Sequence, residues 1–269
     1  MKSRIATYLF SSLILISCGG GGGGGDKAPA DVCGNIHLKI VGGEKCSPDN
    51  SSVVAFILLD AATNVIGVCS ATLITPTTVL TAAHCIVEPT AKKFAIIANN
   101  TAFPVSKVKV HPNYQDTESK NPGFDIAVAT LSSPVDLPPI PLVLSRGVEK
   151  GDSLGVYGYG QDENDQGFEN FGTKALKGAF VTVTDFSGDL TLTEYNDTRT
   201  GSCEGDSGGP LMLDVDGTSG IVGVVKGGGN LKDPTSTSCL AGTFDAFTNT
   251  QLPSIASFIL ENAPGAKTI

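Results

Sequence analysis

One short stretch of sequence, Gly205–Pro210, constrains this chain of 269 residues more than any other. It reads Gly-Asp-Ser-Gly-Gly-Pro, and glycine adopts backbone conformations that a side chain would obstruct. Two further motifs precede it: Thr81–Cys85 reads Thr-Ala-Ala-His-Cys, and Asp125–Ala127 reads Asp-Ile-Ala. A histidine, an aspartate and a serine therefore follow one another along the chain, each within a distinctive motif.

These three residue types together can build an activated nucleophile. A serine hydroxyl is a weak nucleophile at neutral pH and needs a base within hydrogen-bond reach, and histidine has a suitable near-neutral pKa. Among the three histidines, His37, His84 and His111, we select His84 because of its motif. Asp125 opens an apolar alternation that predicts a half-buried strand, so its carboxylate would need a partner and is suited to hold an imidazole. Taken alone, Asp125 could instead be a turn residue after Pro122-Gly123, and the serine motif a glycine-rich turn.

A fourth motif, Lys39–Gly43, reads Lys-Ile-Val-Gly-Gly. Together the motifs resemble those of serine peptidases of the chymotrypsin/trypsin family, over a stretch that begins at Ile40 and ends near Ala263. The resemblance implies an endopeptidase in which serine attacks the substrate, histidine acts as the base and aspartate orients the histidine. It also implies an oxyanion hole built from backbone N–H groups. The implied catalytic residues are His84, Asp125 and Ser207, and the implied oxyanion donors are Gly205 and Ser207.

The resemblance also implies activation by proteolysis. Cleavage after Lys39 would release the ammonium group of Ile40, which in this family inserts beside the aspartate that precedes the nucleophile, here Asp206. Lys39 implies an activating protease that cuts after basic residues, whereas the alternative is an internal strand without processing. His37 would then lie outside the mature enzyme, and His111 lies in a stretch that resembles a surface turn of the family.

Short apolar runs separated by Gly, Pro, Asn and Asp predict an all-β fold. The runs are Val53–Leu59, Thr77–Leu80, Val105–Val110, Phe180–Thr184 and Ile221–Val225. A C-terminal helix is predicted because four apolar side chains share one face and Pro253 suits its first turn; they are Leu252, Ile255, Phe258 and Ile259. The resemblance implies two antiparallel Greek-key barrels with the active site between them, over residues 40–140 and 141–250, followed by the helix over residues 251–263.

The N-terminal residues have the pattern of an export signal. Met1–Arg4 is basic and Ile5–Ile16 is mostly apolar, which is typical of a signal peptide and too short for a stable membrane-spanning helix. Leu15–Cys18 resembles the lipobox of bacterial lipoproteins, so Cys18 is expected to carry lipid and to anchor the protein in the cell envelope. The alternative is an ordinary secretory signal.

Seven glycines, Gly19–Gly25, predict a flexible tether. The predicted segments are a signal peptide over residues 1–17, an anchor, tether and pro-segment over residues 18–39, and a peptidase domain over residues 40–269.

The remaining six cysteines are expected to form disulfides, because an exported protein meets an oxidising environment. The resemblance pairs Cys69 with Cys85 and Cys203 with Cys239, which leaves Cys33 and Cys46. A bridge between these last two would cross the expected cleavage site, so the active enzyme would stay attached to its anchor.

The charge of the chain argues against several classes of partner. Residues 1–39 hold four basic and two acidic residues, which leaves 14 basic and 25 acidic residues in the remainder and a formal charge of −11. Nucleic acid and anionic membrane surfaces are therefore unsuitable partners. The histidines are far apart and no Cys/His pair has zinc spacing, so we expect neither a metal nor a cofactor. A protein or peptide substrate and a monomeric state are expected.

The predicted substrate pocket is neutral. Trypsin-like enzymes place an aspartate six residues before the nucleophile, where this chain has Gly201, followed by Ser202. Gly227 and Gly242 are the expected walls, and an open neutral pocket favours a large apolar P1 side chain, with a small P1 residue as the alternative. Three charged side chains, Lys226, Lys232 and Asp233, could still reach the pocket.

Two family features are missing at the substrate-binding edge strand. Val225-Lys226-Gly227 stands where the family usually has Ser-Trp-Gly, so a hydroxyl that bonds the catalytic aspartate and an apolar floor are lost. Neither change removes His84, Asp125 or Ser207, and an active endopeptidase is therefore predicted. The alternatives are a catalytically silent binding protein on the same fold and a processing enzyme with a narrow target.

Overall fold

The chain folds into two antiparallel β-barrels followed by a helix. In the computed structural model the described residues are 44–45, 50–115, 123–161, 176–194, 201–229 and 244–269, all of which belong to one unit, Asp31–Ile269. The prediction of an all-β chain with two barrels and a C-terminal helix is confirmed.

Six strands form the first barrel. They are β2 (Val53–Leu59), β3 (Val65–Thr75), β4 (Thr78–Thr81), β5 (Lys93–Ala98), β6 (Thr101–Val110) and β7 (Ala127–Leu131). Their spatial order is β2-β3-β4-β7-β6-β5, and the pairing of β5 with β2 closes the barrel. Large apolar side chains such as Phe56, Leu73 and Ile96 are fully buried inside it. A short helix, α1 (His84–Val87), follows β4.

Six further strands form the second barrel. They are β8 (Ser153–Gly158), β9 (Lys177–Ser187), β10 (Leu190–Glu194), β11 (Pro210–Val215), β12 (Thr218–Gly229) and β13 (Phe244–Asn249). Their order is β9-β10-β13-β12-β11-β8, and β8 pairs with β9 to close the barrel. The two-residue strand β1 (Glu44–Lys45) pairs with the start of β9. The apolar core of this barrel includes Leu154, Leu211 and Phe247.

The helix α2 (Pro253–Asn262) follows the second barrel in the chain but packs against the core of the first. Its buried face carries Ile255, Phe258 and Ile259, as the apolar spacing predicts, and proline occupies its first turn. Neither helix in the described part of the chain is long and apolar enough to cross a membrane.

A third apolar cluster joins the two barrels. Val53, Ala55 and Ile57 of β2 pack with Tyr159 and Leu176, which flank strands of the second barrel. Because alternate side chains of a strand point to opposite faces, β2 contributes one face to the core of its own barrel and the other face to this contact. The contact holds the two barrels against each other.

Candidate active site

His84 and Asp125 are joined by two short hydrogen bonds. The Nδ1 atom of His84 lies 2.7 Å from Oδ2 of Asp125, and the backbone N–H of His84 donates to Oδ1 at 2.9 Å. His84 begins α1 and Asp125 lies just before β7, which pairs with β4, so the barrel brings the two residues together. The carboxylate side chain is 1% exposed, whereas the imidazole is 28% exposed. A carboxylate next to Nδ1 favours the neutral imidazole tautomer that carries its proton on Nδ1. The Nε2 atom is then the hydrogen-bond acceptor.

The carboxyl group of Asp125 is held in its charged form. Burial is the largest influence and acts to raise its pKa, but the hydrogen bonds and the electrostatic attraction of His84 outweigh burial. Lys226, half-buried on β12, adds a smaller attraction in the same direction. The pKa of Asp125 is therefore lowered, and the group remains a carboxylate at neutral pH.

The Asp125 backbone is held by the second barrel. Thr248 on β13 donates its buried hydroxyl to the carbonyl oxygen of Asp125 at 3.0 Å. The sequence reasoning identified the loss of a serine hydroxyl at Val225 and missed this contact, because nothing in the sequence distinguishes Thr248 from the other threonines of the strands.

Ser207 lies in a tight turn between the barrels. Its carbonyl oxygen accepts the N–H of Ser70 on β3 at 2.8 Å, and the next N–H, that of Gly208, donates to Val225 on β12 at 2.8 Å. The same carbonyl oxygen lies 3.9 Å from the sulfur of Cys85, the residue after His84. The structure therefore brings the partly exposed Ser207 next to the segment that carries His84.

Two glycines are required by this turn. Gly205 has φ +96° and Gly208 has φ +84°, in the left-handed region that side chains disfavour. A Cβ on Gly208 would also collide with the hydroxyl of Thr81 and the carbonyl oxygen of Ser70. The spacing of the glycines in the motif thus follows from the path of the backbone around Ser207.

Asp206 is fully buried behind the turn. Its carboxylate accepts the N–H of Gly160 at 2.7 Å and that of Cys203 at 2.9 Å. Lys177, a buried lysine at the start of β9, donates to the carbonyl oxygen of Gly160 at 2.6 Å. Sequence reasoning missed the role of Lys177 in holding this segment, since a lysine that opens a strand gives no sign of burial.

The cysteine prediction is confirmed where the structure describes it. Cys69 and Cys85 form a disulfide with a Cα–Cα distance of 6.3 Å. Cys203 is also disulfide-bonded. The ligand atoms of Cys69, His84 and Cys85 lie within 4.8 Å of one another, but the two sulfurs are bonded to each other and offer no thiolate to a metal.

The segment of the predicted pocket at Gly201 and Ser202 is bonded to a carboxylate that sequence reasoning did not identify. Asp245 on β13 accepts the N–H of Ser202 at 2.9 Å and its hydroxyl at 2.7 Å, and both residues are buried. Gly201 is buried beside them, and among the described residues no atom lies within 4 Å of a Cβ placed on Gly227. The only sequence signal for Asp245 is its place in an otherwise uncharged strand close to Gly242.

Several predicted site residues lie outside the described residues. They are Cys18, Cys33, Lys39, Ile40, Cys46, Lys232, Asp233, Cys239 and Gly242. Lipidation, activation, one pocket wall and two of the disulfide pairings therefore stay predictions.

Known proteins match most of the chain. Residues 40–244 match the protein family described as Trypsin. The chain is 30% identical over 199 residues to a trypsin of Saccharopolyspora erythraea, a match that covers 65% of this chain and 82% of the relative. It is 25% identical over 173 residues to a glutamyl endopeptidase of Bacillus licheniformis (61% and 47% covered) and 26% identical over 230 residues to a urokinase-type plasminogen activator of Gallus gallus (71% and 52% covered). The chain spans about half the length of these last two relatives. With its family match and its two barrels, this chain belongs to the trypsin family of serine proteases.

Proposed function

We propose that this chain is an exported, lipid-anchored serine endopeptidase, made as a zymogen, whose catalytic residues are His84, Asp125 and Ser207. The observation that carries the proposal is the pair of hydrogen bonds between His84 and a buried Asp125, beside the turn that presents Ser207. A carboxylate kept charged next to a partly exposed imidazole suits a base that must accept and return a proton.

The first half of the reaction forms an acyl-enzyme. Nε2 of His84 takes the proton of the Ser207 hydroxyl as its oxygen attacks the substrate carbonyl carbon. Asp125 stabilises the resulting imidazolium and remains a carboxylate. The negative oxygen of the tetrahedral intermediate is stabilised by the N–H groups of Gly205 and Ser207. His84 then gives its proton to the leaving amine as the C–N bond breaks.

The second half repeats the same steps with water. His84 removes a proton from a water molecule, which attacks the acyl carbon, and the Ser207 oxygen leaves as the proton returns to it. The product acid departs and the enzyme regains its starting state. No group beyond these side chains and backbone amides is needed.

Activation is proposed to act through Asp206. Its buried carboxylate already accepts two backbone N–H groups, which connect the turn of Ser207 to the segment around Gly160. A new ammonium group at Ile40 would add a positive partner and order the oxyanion hole. The activator would be a protease that cuts after basic residues, as Lys39 requires.

The anchor is proposed from the sequence pattern around Cys18 and the glycine tether. A bridge between Cys33 and Cys46 would keep the activated enzyme on that anchor. Electrophoresis of the cleaved, lipidated protein without reductant tests this point: the pro-segment should run with the peptidase, and its separation would contradict the bridge.

The P1 preference is not decided by family membership, since the relatives include a glutamyl endopeptidase. Gly201 supports a large apolar P1 side chain, because it leaves no charge at the usual position.

The proposal is tested by labelling the active site. The protein cleaved after Lys39 should react with a fluorophosphonate at Ser207, and the uncleaved protein should react far more slowly. A Ser207→Ala variant is the matched control and should not be labelled. Absence of labelling in the cleaved, folded protein would favour a silent binding protein instead.

A further inference from the structure

We propose that Asp189 is a positioning residue for catalysis, whose carboxylate holds the backbone of Phe124 and thereby sets the place of the next residue, Asp125. This inference rests on the proposed peptidase function and adds a residue of the second barrel to the support of that reaction. Asp189 acts through Asp125 and not on the substrate.

Phe124 has an unusual backbone conformation immediately before the proposed catalytic aspartate. Its φ is +55°, in the left-handed region that a bulky side chain disfavours. The N–H of Ile126 donates to the carbonyl oxygen of Phe124 at 2.8 Å, so the chain makes a three-residue turn centred on Asp125. The direction in which the carboxylate of Asp125 leaves the backbone therefore depends on the conformation held at Phe124.

The carboxylate of Asp189 contacts this strained residue directly. The N–H of Phe124 donates to Oδ2 of Asp189 at 2.6 Å, and a Cβ placed on Gly123 would lie 3.1 Å from Oδ1. The ring of Phe124 is held separately, because it stacks on His111 with centroids 4.7 Å apart. A left-handed conformation of a bulky residue persists only where its surroundings hold it, and the bond to Asp189 is the contact that holds the backbone.

The turn that carries Asp189 is itself fixed to the second barrel. Gly188, with φ +62°, and Asp189 form the two-residue turn between β9 and β10. The carbonyl oxygen of Asp189 accepts the N–H of Asn249 at 2.8 Å. Asn249 directly follows Thr248, whose hydroxyl donates to the carbonyl oxygen of Asp125. One corner of the second barrel therefore holds both Asp125 and the residue before it.

This chain lacks another support for Asp125. Val225 stands where a side-chain hydroxyl was expected to bond the carboxylate. In the described part of the chain, the hydrogen bonds to this carboxylate all come from His84. The second barrel therefore controls Asp125 through its backbone, which is where Asp189 and Thr248 act.

Steady-state kinetics of the cleaved enzyme test the inference. The substrate is whichever of six matched peptides, with P1 Lys, Arg, Phe, Leu, Ala or Glu, the wild type cleaves fastest. We expect Asp189→Ala to lower kcat by roughly 10- to 100-fold while KM changes less than about threefold, because the base is misplaced and the substrate contacts are kept. A kcat within about threefold of the wild type in folded Asp189→Ala would overturn the inference.

Two further variants separate positioning from a general loss of structure. Asp189→Asn keeps an acceptor oxygen at the same reach and should restore kcat to within about threefold of the wild type. Asp185→Ala changes an exposed carboxylate of the same hairpin and should keep the wild-type kcat. A thermal melt verifies that each variant is folded.

A double substitution tests whether Asp189 acts through Asp125. In an Asp125→Asn background the change Asp189→Ala should lower kcat by less than about threefold, since the carboxylate that it positions is already lost. A further loss as large as that seen with Asp125 present would show that Asp189 contributes independently, and would overturn the inference.

A second pair of variants leaves Asp189 unchanged, so its result does not depend on how Asp189→Ala folds. Phe124→Asn and Phe124→Val both lose the aromatic ring, but asparagine adopts the left-handed conformation far more readily than a β-branched residue. We expect kcat of Phe124→Asn to exceed that of Phe124→Val at least about tenfold. Equal values in the two folded variants would show that the conformation held by Asp189 does not matter for catalysis, which would overturn its role.

Fluorophosphonate labelling separates a failure of this inference from a failure of the proposed function. Labelling of Ser207 in the cleaved wild type, together with an unchanged kcat in Asp189→Ala, would overturn the role of Asp189 and leave the peptidase intact. Absence of labelling in the cleaved wild type would overturn both.

Discussion

Asp125 receives two short hydrogen bonds from one residue, and this is the residue-scale basis of the proposed mechanism. The hydrogen bond from the backbone N–H of His84 holds the start of α1 in place. The contact at Nδ1 holds the orientation of the imidazole ring. An asparagine would keep the size of the side chain but would offer only one acceptor oxygen.

Asp125→Asn is expected to lower kcat by about 10⁴-fold, because the amide favours the wrong imidazole tautomer. Steady-state kinetics on the cleaved enzyme measure this, with a thermal melt to verify folding. Asp214→Asn, which changes an exposed residue near the end of β11, is the control. A loss below about tenfold in a folded variant would contradict the role of Asp125.

The motif glycines can be tested against each other by stability. Gly208→Ala combines a positive φ with a collision with Thr81 and Ser70, whereas Gly217→Ala has a similar φ of +82° and, among the described residues, open space around its Cβ. We expect Gly217→Ala to cost about 1 kcal/mol of unfolding free energy and Gly208→Ala at least about 2 kcal/mol more. Denaturant unfolding measures both free energies, in a Ser207→Ala background that avoids self-digestion. Equal losses of unfolding free energy in the two variants would contradict the predicted collision at Gly208.

At the scale of elements, His111 connects the first barrel to α2. Its ring stacks on Phe124 with centroids 4.7 Å apart and meets Phe258 of α2 edge-on at 4.9 Å. Asn113 donates its N–H to Nδ1, so that nitrogen is an acceptor in the neutral ring. Burial lowers the pKa of His111, while a hydrogen bond with the backbone of Ser254 and the charge of Asp189 act in the opposite direction.

The lowered pKa predicts that acid weakens this contact. Below about pH 6.5 the unfolded chain binds a proton at His111 that the folded chain excludes. The free energy of unfolding therefore decreases as the pH is lowered, by at most about 1.4 kcal/mol per pH unit. His111→Phe keeps an aromatic ring and removes the titration. The free energy of unfolding is measured between pH 7.5 and 5.5 for Ser207→Ala protein with and without His111→Phe. It should depend less on pH in the protein that carries His111→Phe. The same pH dependence in both proteins would contradict the prediction.

Elements differ in how far the sequence determines them. Each of the five predicted apolar runs lies on a strand, namely β2, β4, β6, β9 or β12, because apolar runs bounded by turn residues are typical of strands. Their ends were less accurate: β9 and β12 extend well beyond Phe180–Thr184 and Ile221–Val225, since backbone pairing continues through polar and glycine positions. The motifs of the proposed catalytic residues were recognisable because each is local. Asp245 and Lys177 were not, because their partners are distant in the chain.

At the scale of the whole molecule, the two barrels supply different parts of one site. The first barrel contributes His84 and Asp125 of the proposed site, and the segments around the second contribute Ser207 and Asp206. Because Thr248 also reaches the Asp125 backbone, relative motion of the barrels would disturb both halves of the site.

Peptide-bond cleavage by Ser207, with His84 as its base, is the central proposal for this chain. The most direct measurement is mass spectrometry of every bond cut in a denatured protein mixture by the cleaved enzyme, with Ser207→Ala protein as the blank. Cuts that are absent from the blank are expected. No cuts above the blank would contradict catalysis by Ser207.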